Sequence, residues 1–169
     1  MRIKGKGAPD ADAPWNEVVP GLWMGGHLFR DAAGVRTAAV VAREFDLVVS
    51  LYRRDGHGPA PGVDHHCAEM PDGPLTPEQI ATVCALADVV TAAVHDRRRV
   101  LVRCHSGYNR SGLVVVQTLI NLGHRTDDAI FLVRHRRSRW ALNNPLFVDY
   151  LTHGLDVARL LTGLAALDG

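Results

Sequence analysis

The segment VLVRCHSGYNRSGLVVVQTLINLG, residues 100–123, constrains the chain more than any other. Val100, Leu101 and Val102 form a short apolar run of strand length. Ten positions without an aliphatic side chain follow, Arg103 to Gly112, and a long apolar stretch then ends at Gly123, where a helix would be capped. Strand, tight loop and helix together make an anion cradle, because successive peptide N–H groups and the helix N-terminus present positive potential to one point. Cys104 stands at the foot of that cradle. A field that holds phosphate also favours a thiolate over a thiol. Gly107 allows the turn without a Cβ clash. Arg110 supplies a planar guanidinium that can hold two phosphoryl oxygens and follow the charge of a transition state. Ser111 can donate a hydrogen bond to a departing thiolate.

The rest of the chain supplies strands and helices in alternation. Val18-Val19 and residues 22–24 read as β-like pieces around the turn at Pro20-Gly21. Residues 45–51, FDLVVSL, and residues 63–70 have strand character, with a Gly- and Pro-rich loop between them at residues 53–62. Thr76, Pro77 and Gln79 fit the cap, first turn and capping box of a helix that runs to about His95. Helices are expected over residues 111–122, 127–137 and 145–161. This order predicts an α/β fold with a central, mostly parallel sheet flanked by helices. One domain is expected over residues 15–165, preceded by a flexible lead-in over residues 1–14.

Cys104, five residues, then Arg110 and Ser111 resemble the C-x5-R-[ST] signature of the cysteine-dependent protein phosphatases. The glycine falls in the family place. Residues 21–26, GLWMGG, look like the opening strand motif of the dual-specificity branch, and FDLVVSL like the strand after it. Arg139, Asn144, Phe147 and Leu151 match the pattern of its last helices, where their role is structural. The resemblance implies a single-domain tyrosine-phosphatase-like fold and hydrolysis of phosphate monoesters through a cysteinyl-phosphate, with no cofactor and no metal. The substrate would be a phosphorylated protein or a small phosphomonoester. Cys104 would be the nucleophile. His105, Ser106, Gly107, Tyr108, Asn109 and Arg110 would bind phosphate, and Ser111 would ease thiolate departure. The branch also uses an aspartate on an upstream loop as general acid. Asp72, in EMPDGPL and 32 residues before Cys104, fits that place, with Glu69 and Asp64 as fallbacks.

The chain departs from the family at Arg103, where a histidine that shapes the loop usually stands. Two alternatives follow. The C-x2-G-x-N-R form is also similar to the RNA 5′-triphosphatase branch, and a chain altered at Arg103 could keep the cradle as a phosphate-binding interaction module without turnover.

Composition narrows the partners. The net charge of +1 gives no global field for nucleic acid or membrane, and neither is expected as a partner. Three cysteines argue against a disulfide framework and for a reducing, cytoplasmic setting. Asp64-His65-His66-Cys67 spells a zinc-like cluster, but consecutive strand side chains alternate and do not converge. The basic run of residues 134–139 reads as charge at a helix C-terminus.

Overall fold

The computed structural model describes residues 7–169. Of the lead-in expected over residues 1–14, residues 1–6 lie outside the described residues. Seven strands are present: β1 (Trp15–Val19), β2 (Leu22–Gly25), β3 (Leu28–Arg30), β4 (Arg36–Ala38), β5 (Leu47–Ser50), β6 (Asp64–Cys67) and β7 (Val100–Arg103). Five of them form a sheet in the order β1-β2-β7-β5-β6. β2–β7, β7–β5 and β5–β6 run parallel and only β1–β2 is antiparallel. β3 and β4 make a separate hairpin.

β5 and β7, LVVS and VLVR, are buried at every position, as apolar strands covered on both faces must be. The two faces are covered differently. All five helices, α1 (Pro77–His95), α2 (Arg110–Asn121), α3 (Thr126–Arg136), α4 (Pro145–His153) and α5 (Leu155–Leu167), contribute to one apolar core with Leu47, Val49, Val100 and Val102. Among the described residues no helix covers the opposite face. Leu101 and Val48 there meet Val41 and Phe45, with Trp15, Trp23 and Val63 packed beside them. The sheet is therefore flanked by helices on one side only, and irregular chain closes the other.

The capping box of α1 forms as expected: Thr76 Oγ1 accepts from the Gln79 N–H at 3.2 Å, and Gln79 Oε1 accepts from the Thr76 N–H at 2.9 Å. By length and composition, α1 is the one described helix long and apolar enough to cross a membrane. Ile80, Val83, Ala87 and Val90 bury one side of it in the domain core.

Two expectations need correction. The single helix expected over residues 145–161 is two helices, broken at Gly154, whose φ of +93° is a left-handed conformation that glycine adopts without penalty. The domain packing also begins before residue 15. Ala8 and Ala11 are buried and cluster with Tyr108, against which Trp140 also packs.

Candidate active site

β7 delivers Cys104 and α2 begins at Arg110, so the predicted loop spans a strand end and a helix start. Cys104 is 2% exposed. The loop conformation follows from where its carbonyls go. His105 O accepts from the His27 N–H at 2.9 Å, and Ser106 O and Gly107 O accept from the Arg137 guanidinium at 3.4 and 3.2 Å. Tyr108 O accepts from the Leu142 N–H at 3.0 Å, and Asn109 O from the Leu113 N–H at 2.8 Å. Five consecutive carbonyls thus point outward to partners. In a trans peptide the next residue's N–H points the other way. The N–H groups of residues 106–110 are accordingly turned into the cradle above Cys104.

The glycines make this packing possible. Gly107 has φ +73°, and a Cβ there would lie 2.5 Å from the Gly25 carbonyl carbon. A Cβ on Gly26 would lie 2.8 Å from the carbonyl carbon of Ser106. The GLWMGG motif is therefore a glycine floor on which the loop lies directly.

Ser111, fully buried, brings its Oγ within 3.3 Å of Cys104 Sγ. The Arg110 guanidinium spans to the acid segment, where Nη1 donates to Met70 O at 3.1 Å, and it lies 5.4 Å from the centre of the Tyr52 ring. Arg110 Nε is buried and has no hydrogen-bond partner. A buried unpaired N–H is costly, and at the mouth of an anion cradle it is a donor waiting for an anionic oxygen.

Asp72 sits beside this loop. Its Oδ2 accepts from Asn109 Nδ2 and its Oδ1 from Asn144 Nδ2, each at 2.9 Å. Asn144 also caps α4 through Oδ1 to the Leu146 N–H, and its own N–H donates to Asn109 Oδ1 at 3.0 Å. The fallback acids lie elsewhere. Asp64 pairs with Arg98 at 3.0 Å, at the opposite end of the strands, and Glu69 accepts from the Arg53 backbone N–H. Of the candidate carboxylates, Asp72 is the one tied to the loop.

Arg103 does not join the cradle. Alternation along β7 puts its side chain on the helix-free face with Leu101. There it donates from Nε to Ser50 Oγ at 3.0 Å, from Nη1 to His57 O at 2.9 Å and from Nη2 to Gly58 O at 2.5 Å. It does not shape the loop from the place where the family's histidine usually does. It is a brace for residues 57–58.

Sequence reasoning missed four contributors. Arg137, 6% exposed, also ties the loop to Ala13 O and Asn16 Oδ1, each at 2.8 Å. Nothing in RHRRSR distinguishes it from its neighbours: Arg134 donates to Ala141 O and Leu142 O, and Arg139 lies over the Trp140 ring. Tyr52 meets His105 edge to face at 5.1 Å. His27 donates from Nε2 to Tyr52 O at 2.8 Å; its Nδ1 therefore accepts from His57 Nδ1 at 3.2 Å. Burial and the nearby Arg103 charge push His27 down to about 4. Pro9 O accepts from Tyr108 Oη at 2.7 Å. Among the described residues, no three His, Cys, Asp or Glu side chains group as metal ligands.

No protein-family model matches this chain, and no curated protein does. Solved structures do. Human DUSP28 is 27% identical, with a TM-score of 0.65 over 90% of this chain and 99% of that one. A mouse putative dual specificity phosphatase, complexed with zinc tungstate, is also 27% identical, with a TM-score of 0.59 over 87% of each chain.

The chain resembles the dual-specificity-type cysteine phosphatases over nearly its whole length.

A more distant likeness, of fold alone, extends to Tk-PTP in its active form, 20% identical with a TM-score of 0.60 over 83% of this chain and 95% of that one. The phosphatase keeps the signature loop of its type on a sheet whose second face is closed by irregular chain rather than helix.

Proposed function

We propose that this phosphatase hydrolyses phosphate monoesters on protein side chains or on a small phosphomonoester, with Cys104 as nucleophile and Asp72 as general acid. The observation that carries this reading is the cradle itself: five consecutive carbonyls of the loop after Cys104 held outward, and a buried Arg110 Nε with no hydrogen-bond partner.

The thiolate of Cys104 attacks phosphorus in line, and an S–P bond forms as the P–O bond to the leaving group breaks. The loop N–H groups and Arg110 hold the equatorial oxygens as charge spreads over them. Asp72 gives its proton to the leaving oxygen. Water then attacks phosphorus, Asp72 takes its proton, the S–P bond breaks, and inorganic phosphate leaves. Ser111 Oγ, 3.3 Å from Sγ, stabilises the returning thiolate.

Two contacts favour this reading over the alternatives. Asn109 is engaged with Asp72 and Asn144, which links it to an aspartate acid rather than to a triphosphate chain. Arg103 bonds away from the loop, so its presence does not argue for a module without turnover. The three free thiols support a reducing, cytoplasmic setting.

The test is hydrolysis of an aryl phosphate across pH. Cys104→Ser should abolish turnover while phosphate analogues still bind. Asp72→Asn should slow turnover at least tenfold, within the usual range for a general acid, and flatten the limb of the profile that needs the acid protonated. Turnover that survives Cys104→Ser would overturn the assignment, and an unchanged profile in Asp72→Asn would move the acid elsewhere.

A further inference from the structure

The helix-free face of the sheet carries a cavity of about 580 Å³ that the mechanism above does not use. Strand register lays its floor. Arg103, Ser50 and Cys67 stand side by side on β7, β5 and β6 at their C-terminal ends, and His65 stands one row back. Arg53 and Arg54 leave the end of β5 along one wall, and Val41 and Pro59 line it from other segments.

The charge in this cavity is unbalanced. Arg103 is 1% exposed, and all three of its partners are neutral: a hydroxyl and two carbonyls. Among the described residues no carboxylate pairs with Arg103 or Arg54. Asp55, the one carboxylate in the wall, lies 3.8 Å from Arg53 with 97% of its side chain in solvent. Burial pulls Arg103 down to about 10, which still leaves it charged at neutral pH. Ser50 Oγ accepts the Arg103 Nε–H and, 2.9 Å from His65 Nε2, has its own proton to give there. The Arg103 donors are thus spent on neutral partners, and among the residues lining the cavity only the solvent-exposed Asp55 opposes its positive charge. A buried charge normally has a paired counter-ion.

We propose that this cavity is a second anion site, separate from the Cys104 loop, that takes a phosphate group. Arg103 supplies fixed charge from the floor, and the exposed Arg53 and Arg54 close on the phosphate oxygens, a group that guanidinium forks match bidentately. Val41 and Pro59 give its carrier an apolar rest. Tyr52 joins the two sites, because its ring lies by the Arg110 guanidinium and the next residue is Arg53. The phosphate belongs either to a free phosphorylated ligand or to a substrate whose other phosphate lies over Cys104. Only the second source rests on the phosphatase reading.

The test is calorimetric titration with inorganic pyrophosphate at low ionic strength, on the full chain carrying Cys104→Ser. An equivalent of pyrophosphate that survives a further Arg110→Ala and is lost with Arg53→Ala/Arg54→Ala establishes the site; any other pattern overturns it. With the native cysteine, Arg53→Ala/Arg54→Ala should leave aryl phosphate hydrolysis unchanged. A lower KM for a doubly than for a singly phosphorylated peptide, erased by that double substitution, assigns the group to the substrate. Equal KM values with the pyrophosphate equivalent present assign it to a free ligand. Failure of the phosphatase reading would show separately, as absent turnover in the intact chain with the binding counts unaltered.

Discussion

Arg137 does for the phosphate loop what no backbone segment does. One guanidinium takes the outward carbonyls of Ser106 and Gly107 and anchors them to Ala13 and Asn16. Arg137→Met fills similar volume but leaves those carbonyls without a donor. Unsatisfied buried carbonyls and lost charge-assisted bonds make this cost about 3 kcal/mol. The expected outcome is a lower urea midpoint together with at least a tenfold loss in kcat, and retained kcat at the lower stability would show that the brace serves folding alone. The cradle was legible in the sequence because Cys104, Gly107, Arg110 and Ser111 lie within eight residues. Arg137 was not, because its partners lie 30 and more residues away and the local composition of a helix end explains it equally well. Arg103 was legible as a departure but not in its effect, which depends on the face β7 presents.

At the level of elements, the acid segment is held between two helix starts. Asp72 bonds Asn144, the N-cap of α4, and four residues later Thr76 caps α1. Thr76→Ala removes one cap bond on an exposed turn and is expected to cost about 1 kcal/mol. Turnover should fall by less than the loss in Asp72→Asn, since Asn109 and Asn144 still hold the carboxylate. Thermal melts and kcat on the same preparation separate the two effects, and a turnover loss equal to that of Asp72→Asn would make the cap part of the acid's positioning. The α1 boundary could be read because the capping box is a local code. The α4–α5 break could not, since the apolar spacing of residues 145–161 continues across Gly154. The β3–β4 hairpin also escaped, because three-residue strands are too short to show alternation.

For the whole molecule, buried neutral histidines tie stability to pH. His27 is held near 4 in the folded chain, below the ordinary value of 6.5. Above pH 6.5 it is neutral in both states. As pH falls toward 4 the unfolded chain takes a proton that the folded chain refuses, so stability drops across that window. His57 and His65 are pushed down in the same direction, chiefly by burial. Between pH 7.5 and 5 the loss from His27 should be about 1.5 kcal/mol after allowance for partial solvent screening. Urea midpoints at the two pH values measure it. His27→Gln, whose amide can replace both ring contacts, should reduce the slope, and an equal slope in that variant would remove His27 from the account. Periodicity announced a parallel sheet with helices but not that all the helices share one face, because a buried strand reads alike whatever covers it.

The stays of the phosphate loop come from far along the chain in both directions: Pro9 and Ala13 before it, Arg137, Leu142 and Asn144 after it. On the ribosome the early partners emerge long before the loop and the late ones well after it. The nucleophile is therefore made before its cradle exists, and the loop stays unbraced until the chain through Asn144 has been synthesised and docked. Nascent chains of this enzyme are born unarmed.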